Sequence, residues 1–305
     1  MSSKKFLITI VGPTAIGKTA LSIQLANYFK ADIISCDSRQ FYKEMTIGTA
    51  VPNVDELSAA THHFIQNRSI FEDYNVGSFE RDALSKLDEL FQKNSVQIMV
   101  GGSGLYVDAV LNGLDYFPEV DPKIREELTK QLHEKGIEPL QEKLKELDLE
   151  TYNSIAIDNP HRIMRALEIC IGTNTPYATF KNKPKTPRNF TSIKIGLTAD
   201  REIIYNRINQ RVDIMLANGL MEEAKNLYPN KNLNALQTVG YRELFSFFDG
   251  DFTQEFAVSE IKKNTRRFAK RQRTWFKKDE ETLWFDYQTD INKIITNISD
   301  KINAF

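Results

Sequence analysis

Residues 6–29 read "FLITIVGPTAIGKTALSIQLANYF". An apolar run of six ends in a glycine loop, and a helix-patterned segment with apolar Ala20, Leu21, Ile23 and Leu25 follows. The loop, Gly12-Pro13-Thr14-Ala15-Ile16-Gly17-Lys18-Thr19, matches G-x-x-x-x-G-K-[ST] throughout, and its strand-before, helix-after context is the one that gives the motif meaning. Glycines let backbone N–H groups turn inward around an anion at a helix N-terminus. Lys18 adds a point charge and the Thr19 hydroxyl a ligand for Mg²⁺. The loop is therefore expected to hold a polyphosphate.

Further short apolar runs at 32–36, 96–100, 193–198 and, more weakly, 282–287 alternate with helix-patterned sequence. That alternation predicts α/β architecture, a wound parallel sheet of the P-loop NTPase-like kind. The chain between the third and fourth strands is too long for a simple crossover. Residues 117–187 are expected to form a helical insertion domain in a core made of 1–116 and 188–305.

P-loop hydrolases hold Mg²⁺ with an Asp at the end of another strand. The strand "VQIMV" instead ends in Gly101-Gly102-Ser103-Gly104, without a carboxylate. The strand "ADIISCD" ends in Asp37, where ligands bind in such sheets. Asp37 is open to three readings: metal ligand, general base, or the cap of a turn.

Of 305 residues, 41% are apolar and 27% charged, an ordinary globular composition. Cys36 and Cys170 lie far apart and form no metal-ligand spacing with the four histidines, which predicts a reduced chain without structural zinc. The lysines before the first apolar run are read as flanking a buried strand rather than a signal peptide. No segment is long and apolar enough to span a bilayer, and a cytoplasmic location is expected.

The net charge of −1 hides a segregation. "KKNTRRFAKRQRTWFKK", 262–278, holds nine basic residues and no acid, leaving 31 of the 40 Lys and Arg against 41 Asp and Glu elsewhere. At about 100° per residue, all nine fall on one half of a helical wheel. Phe268, Ala269, Gln272, Trp275 and Phe276 fall on the other. Solvated helix faces mix signs. A ridge of one sign points to a polyanion contacted through its phosphates.

The stretches "GPTAIGKT", "CDSRQFYKEMTIGTA", "VGGSGLYVDAVLNGL", "NPHRIMRALEI", "YNRINQRVDIMLANGLMEEA", "QTVGYREL" and "NTRRFAKRQRTWFKK" run in order along nearly the whole chain. Together they resemble the tRNA dimethylallyltransferases, also called tRNA isopentenyltransferases. The resemblance implies that the loop holds the diphosphate of dimethylallyl diphosphate, not ATP. It further implies transfer of the prenyl group to the exocyclic amine of the adenosine 3′ to the anticodon. Asp37 then looks like the general base, with Lys18, the loop N–H groups, Mg²⁺ at Thr19, and Arg211 on the departing diphosphate; a plain helix-surface role for Arg211 stays open.

By the same resemblance Ser38, Arg39, Gln40 and Ser103 meet the flipped-out base. Arg125, His161, Arg162, Arg165, Gln237, Gly240, Tyr241 and Arg242 match tRNA-contacting stretches, and Arg266, Arg267, Lys270, Arg271 and Arg273 supply the basic ridge. Arg162 and Arg165 are expected to clamp the anticodon stem, with a helix salt bridge to Glu168 as the competing reading. "THHFIQ" and "GTAVP" depart from the family pattern, and His62 and His63 are taken as structural. The expected partners are tRNA, through its anticodon stem-loop, and dimethylallyl diphosphate, with no membrane and a monomeric chain. A free-nucleotide prenyltransferase, a small-molecule P-loop kinase and a non-catalytic RNA-binding protein are the competing readings.

Overall fold

Six parallel strands, ordered β3-β2-β4-β1-β5-β6, form the sheet of this computed structural model, which describes residues 4–305. The chain opens with β1 (Phe6–Val11), α1 (Lys18–Phe29), β2 (Ile33–Ser35), α2 (Val54–Ala59), β3 (His62–His63) and α3 (Val76–Leu90). It continues through β4 (Val96–Val100) and α4 (Gly104–Asn112) into four helices, α5 (Pro122–Lys135), α6 (Glu138–Leu147), α7 (Leu149–Ser154) and α8 (Pro160–Thr173). The remainder is β5 (Thr191–Thr198), α9 (Arg201–Ala217), α10 (Leu220–Leu227), α11 (Tyr241–Phe248), α12 (Gln254–Phe276), β6 (Leu283–Asp286) and α13 (Ile291–Asn303).

The central strand shows why the sheet is buried on both faces. Phe6, Ile8 and Ile10 join a cluster with Leu21, Leu25 and Ile208, whereas Leu7 and Val11 join a second with Phe79, Leu87 and Val107. Side chains alternate across a strand, so an all-apolar strand needs a cover on each face. β1 pairs with β4 on one side and β5 on the other. The strand order turns at β1, and the loops after β1, β2 and β4 emerge together at the carboxyl ends, where such sheets bind ligands. A third cluster joins α10, α11 and the first half of α12 around Tyr42, Met45 and Tyr241.

All five sequence-predicted strands are present. The sixth, β3, was not foreseen. Two histidines make a weak strand signal, and they join the sheet edge because His63 Nε2 meets the Asp32 carboxylate at 2.8 Å while His62 Nδ1 bonds the Ala60 carbonyl. α13 carries no motif and was also not foreseen; it packs Ile294 and Ile298 against the α1 side of the sheet.

The chain divides into two compact units, one running up to Asn112 and resuming at Arg188, the other Gly113–Pro187. The second has its own core of Leu128, Leu140, Leu144, Ile163 and Leu167. Asp148 caps α7, accepting from the Thr151 N–H and hydroxyl and from the Ala178 N–H. Among the described residues, no helix is long and apolar enough to cross a membrane.

Candidate active site

The glycine loop is shaped by contacts that few residues tolerate. At Gly12, φ is +143°, and a Cβ there would lie 2.7 Å from the Leu197 carbonyl oxygen. Ala15 sits in the left-handed region at φ 64°, a strain of about 1 kcal/mol that ordered surroundings must hold. Gly17, at φ 111°, caps α1 with no side-chain hydrogen bond, so the first-turn N–H groups stay open to an anion. Lys18 Nζ donates to the Gly12 and Pro13 carbonyls at 3.1 and 2.9 Å. Burial, helped by Arg211, lowers its pKa to about 8 against the opposing pull of Asp37.

Asp37 lies two residues past the end of β2. Its Oδ1 accepts the Arg39 N–H at 3.1 Å, so it does cap a turn, and its carboxylate still lines the cleft. Burial pushes its pKa up, against the Arg39 N–H, Lys18, Arg39 and Arg211, which pull it down. A carboxylate held above its ordinary range accepts a proton more readily. Arg211, on α9, forms no hydrogen bond or ion pair among the described residues. Burial and the neighbouring Arg207 lower its pKa.

Two cavities meet here. The first, about 760 Å³, is lined by the loop from Thr14 to Ala20, by Arg207 and Arg211, and by an apolar wall of Ile47, Val51, Pro52 and Leu57. The second, about 470 Å³, is lined by Ser38, Ser103, Tyr106, Phe268, Arg271 and Trp275. Both include Thr14, Asp37, Thr49, Ala50, Arg211 and Met215. Asp37 and Arg211 therefore stand where a donor on one side would meet an acceptor on the other.

Other expected residues have different surroundings. Ser38 and Ser103 join by their hydroxyls at 3.1 Å, and Ser103 Oγ also accepts the Ser38 N–H. Arg39 lines the second cavity but spends its guanidinium on the Asn234 and Ala235 carbonyls, and Gln40 braces the Thr49 and Ala50 carbonyls. Tyr241, expected at the tRNA surface, is fully buried: its hydroxyl donates to Glu223, and its ring fills the space over Gly48. It offers no side-chain surface to a partner. Gly240 lines the second cavity and donates its N–H to Glu243. Gln237 donates to the Lys231 carbonyl, and Arg242 is exposed.

The basic ridge is shorter than the wheel suggests. Lys262 pairs with Asp213, Lys263 with Glu260, and Arg266 donates to Asn209 and lies over Tyr205. Arg267, Lys270, Arg271, Lys277 and Lys278 remain exposed, and Arg273 is half-buried. The opposite face is not wholly packed either. Phe268 and Trp275 keep 38% and 39% exposure because they border the second cavity. Within the insertion unit, Arg125 and Arg165 both pair with the buried Glu168, at 2.8 and 3.3 Å, and Arg165 lies over Phe117. His161 and Arg162 are exposed at the start of α8.

Three residues were missed. Arg207, one helical turn before Arg211, donates Nε–H to the Ala15 carbonyl at 2.7 Å and lines the first cavity; the four-residue spacing in "YNRINQR" was its signal. Glu223 accepts the N–H groups of Thr46, Ile47 and Gly48, and nothing in "LMEEA" marks it. Gln272 is buried on the face of α12 that patterning treats as apolar.

A family model described as IPP transferase matches residues 40–279. The chain belongs to the IPP transferase family. It is 65% identical over 303 residues to a tRNA dimethylallyltransferase of Flavobacterium psychrophilum, covering 97% of this chain and 99% of that one. A tRNA dimethylallyltransferase of Flavobacterium johnsoniae is 63% identical, at 98% and 99% coverage. Among solved structures, a tRNA isopentenylpyrophosphate transferase of Bacillus halodurans superimposes with a TM-score of 0.72 at 36% identity, covering 99% of this chain and 96% of that one. A eukaryotic dimethylallyltransferase captured acting on tRNA gives 0.79 at 26% identity, covering 98% and 77%. The chain is therefore a transferase by family. The Thr19 hydroxyl, partly exposed in the first cavity, makes no hydrogen bond among the described residues. No group of three His, Cys, Asp or Glu among them could hold a metal alone. A Mg²⁺ here could take one protein oxygen, the Thr19 hydroxyl, and would need its other ligands from outside the chain.

Proposed function

We propose that this chain transfers a dimethylallyl group from dimethylallyl diphosphate to the exocyclic amine of the adenosine 3′ to the anticodon in tRNA, releasing diphosphate. The observation that carries this reading is the meeting of two cavities at Asp37 and Arg211. One has the open helix N-terminus and three cations that a diphosphate needs. The other has a serine pair and an aromatic and basic rim suited to an unstacked base.

In this reading the diphosphate lies on the loop N–H groups, and Lys18, Arg207 and Arg211 neutralise it as charge develops on the leaving oxygen. The apolar wall takes the prenyl chain. The adenosine enters by the second cavity, which requires its extrusion from the anticodon loop. As the C–N bond forms and the C–O bond to diphosphate breaks, Asp37 receives the amine proton. Mg²⁺ at Thr19 would draw off further charge from the departing diphosphate. Arg267, Lys270 and Arg271 meet the tRNA backbone, with His161 and Arg162 of the insertion unit as further contacts. A monomeric chain and a cytoplasmic location, where its tRNA substrate is found, complete the reading.

The test is transfer of labelled dimethylallyl from its diphosphate to unmodified tRNA with Mg²⁺, beside AMP and ATP controls. Label in tRNA that disappears when the target adenosine is replaced is the expected result. Label in AMP alone would overturn the tRNA assignment, and ATP consumption without label in tRNA would return the loop to kinase chemistry.

A further inference from the structure

Gln272 is 5% exposed and lies near the C-terminal end of the basic face's own helix, α12. A buried carboxamide must satisfy both ends, and this one does so on two separate loops. Its Oε1 accepts the Thr14 N–H at 2.8 Å, and its Nε2 donates to the Gly102 carbonyl at 3.0 Å. Thr14 belongs to the loop after β1, and Gly102 to the loop after β4. The approach is close: a Cβ on Gly102 would lie 2.1 Å from Gln272 Nε2.

The two bonds bear directly on the charge that meets the diphosphate. Lys18 Nζ rests on the Gly12 and Pro13 carbonyls, and the Pro13 carbonyl belongs to the same planar peptide unit as the Thr14 N–H that Gln272 holds. Fixing Thr14 therefore fixes the ledge that carries the ammonium. One residue before Gln272, Arg271 lines the second cavity, and one turn before, Phe268 does the same. The helix that borders the acceptor cavity is thus tied by a single side chain to the loop that builds the donor cavity.

We propose that Gln272 is a positioning residue, which locks the phosphate loop to the loop after β4 and so sets where Lys18 stands for the diphosphate. Gln272 itself borders the second cavity, but both ends of its carboxamide are taken up by Thr14 and Gly102, and it acts through them. The inference rests on the prenyl-transfer reading for its kinetic consequence, but its binding consequence is separable from that chemistry.

Gln272→Met keeps the length of the side chain and removes both hydrogen bonds, leaving the Thr14 N–H and Gly102 carbonyl without partners. Gln272→Glu retains the acceptor for Thr14. Calorimetric titration of the full-length protein with inorganic pyrophosphate and Mg²⁺ reads the loop without requiring turnover. The expected result for the Met variant is affinity lower by about tenfold, the scale of one unsatisfied buried group. The Glu variant should recover at least part of it, while tRNA affinity in both stays within about threefold of wild type. In the transfer assay, KM for the prenyl diphosphate should rise with KM for tRNA unchanged.

A general packing role would instead lower the melting temperature and weaken both ligands alike, without rescue by Glu, and that outcome overturns the proposal. If the Met variant is too unstable to assay, Gly102→Ala approaches the same contact from the other side. Its methyl should displace Gln272 and weaken pyrophosphate comparably, and an unchanged affinity there also overturns it. Wild-type protein that binds pyrophosphate but prenylates no tRNA would count against the reaction, not against Gln272.

Discussion

Replacing Asp37 by Asn removes a proton acceptor at nearly constant shape. Oδ1 accepts the Arg39 N–H at 3.1 Å, and an amide oxygen accepts it equally, so the turn after β2 persists. What disappears is a group able to take the amine proton. A positioned general base contributes about 10²–10⁴-fold, which at about 1.4 kcal/mol per tenfold is a transition-state loss of about 3–5 kcal/mol. Lys18, Arg207 and Arg211 are untouched, so KM for the prenyl diphosphate should move by less than about threefold. A second signature lies in the pH dependence of kcat/KM, which reports the free enzyme. Asp37 is raised by burial, so the wild-type rising limb should lie above the ordinary carboxylate value of about 3.9. Lys18 loses its charge as pH passes about 8, which gives the falling limb. Because the Asp37 charge holds the Lys18 pKa up, the Asn variant should lose the rising limb and shift the falling limb to lower pH. Single-turnover transfer of label to unmodified tRNA across the pH range measures both. A variant within about tenfold of wild type, with its rising limb intact, would refute Asp37 as the base.

Lys18→Met should abolish pyrophosphate binding yet stabilise the fold. The folded-state pKa of about 8 lies below the ordinary lysine value of 10.5, so the unfolded chain binds more protons between those values and wild-type stability rises with pH across that window. Below it the buried ammonium is a standing cost, and the Met variant should melt about 2 °C higher at neutral pH, an advantage that vanishes near pH 10.5; a lower melting temperature at neutral pH would contradict this. For RNA binding, Ala at Arg267, Lys270 and Arg271 should lower the slope of log affinity against log salt by about 2, at about 0.7 per single-strand phosphate contact. The same change at Lys262, Lys263 and Arg266, which are engaged within the protein, should lower it far less. Equal slopes would show that the exposed ridge is not the contact surface.

The strands and the glycine loop were legible because each is short-range: an apolar run, a turn forced by Gly12 and a helix start at Lys18 lie within one stretch of sequence. β3 was not, since two residues carry no periodicity and its pairing depends on Asp32, thirty-one positions from His63. The helical wheel of α12 found the basic side correctly but could not see that Lys262 finds an acid on α9, or that Phe268 and Trp275 border a cavity instead of a core. Gln272 shows the same limit. Its position on the wheel says buried, and only the tertiary structure says that it is buried for its hydrogen bonds. In "QTVGYREL" the family resemblance puts Tyr241 among the tRNA contacts, and only the tertiary structure shows that its side chain is buried and bonded to Glu223.

Arg188 gives the outline of the fold a modular character. Its guanidinium holds the Ala109 and Val110 carbonyls and the Glu80 carboxylate, so the chain re-enters the core beside the helix from which it departed. The 75 residues between, Gly113 to Pro187, begin and end at one stapled point. Closing so long a tether costs only about 2.4 kcal/mol more than closing a five-residue turn. A segment with its own core exceeds that cost by its own burial, so length and sequence there are free to change with little consequence for the sheet. The core is in this sense a socket: a change of length between α4 and β5 is absorbed at the point that Arg188 staples, and the strands that carry Asp37 need not shift.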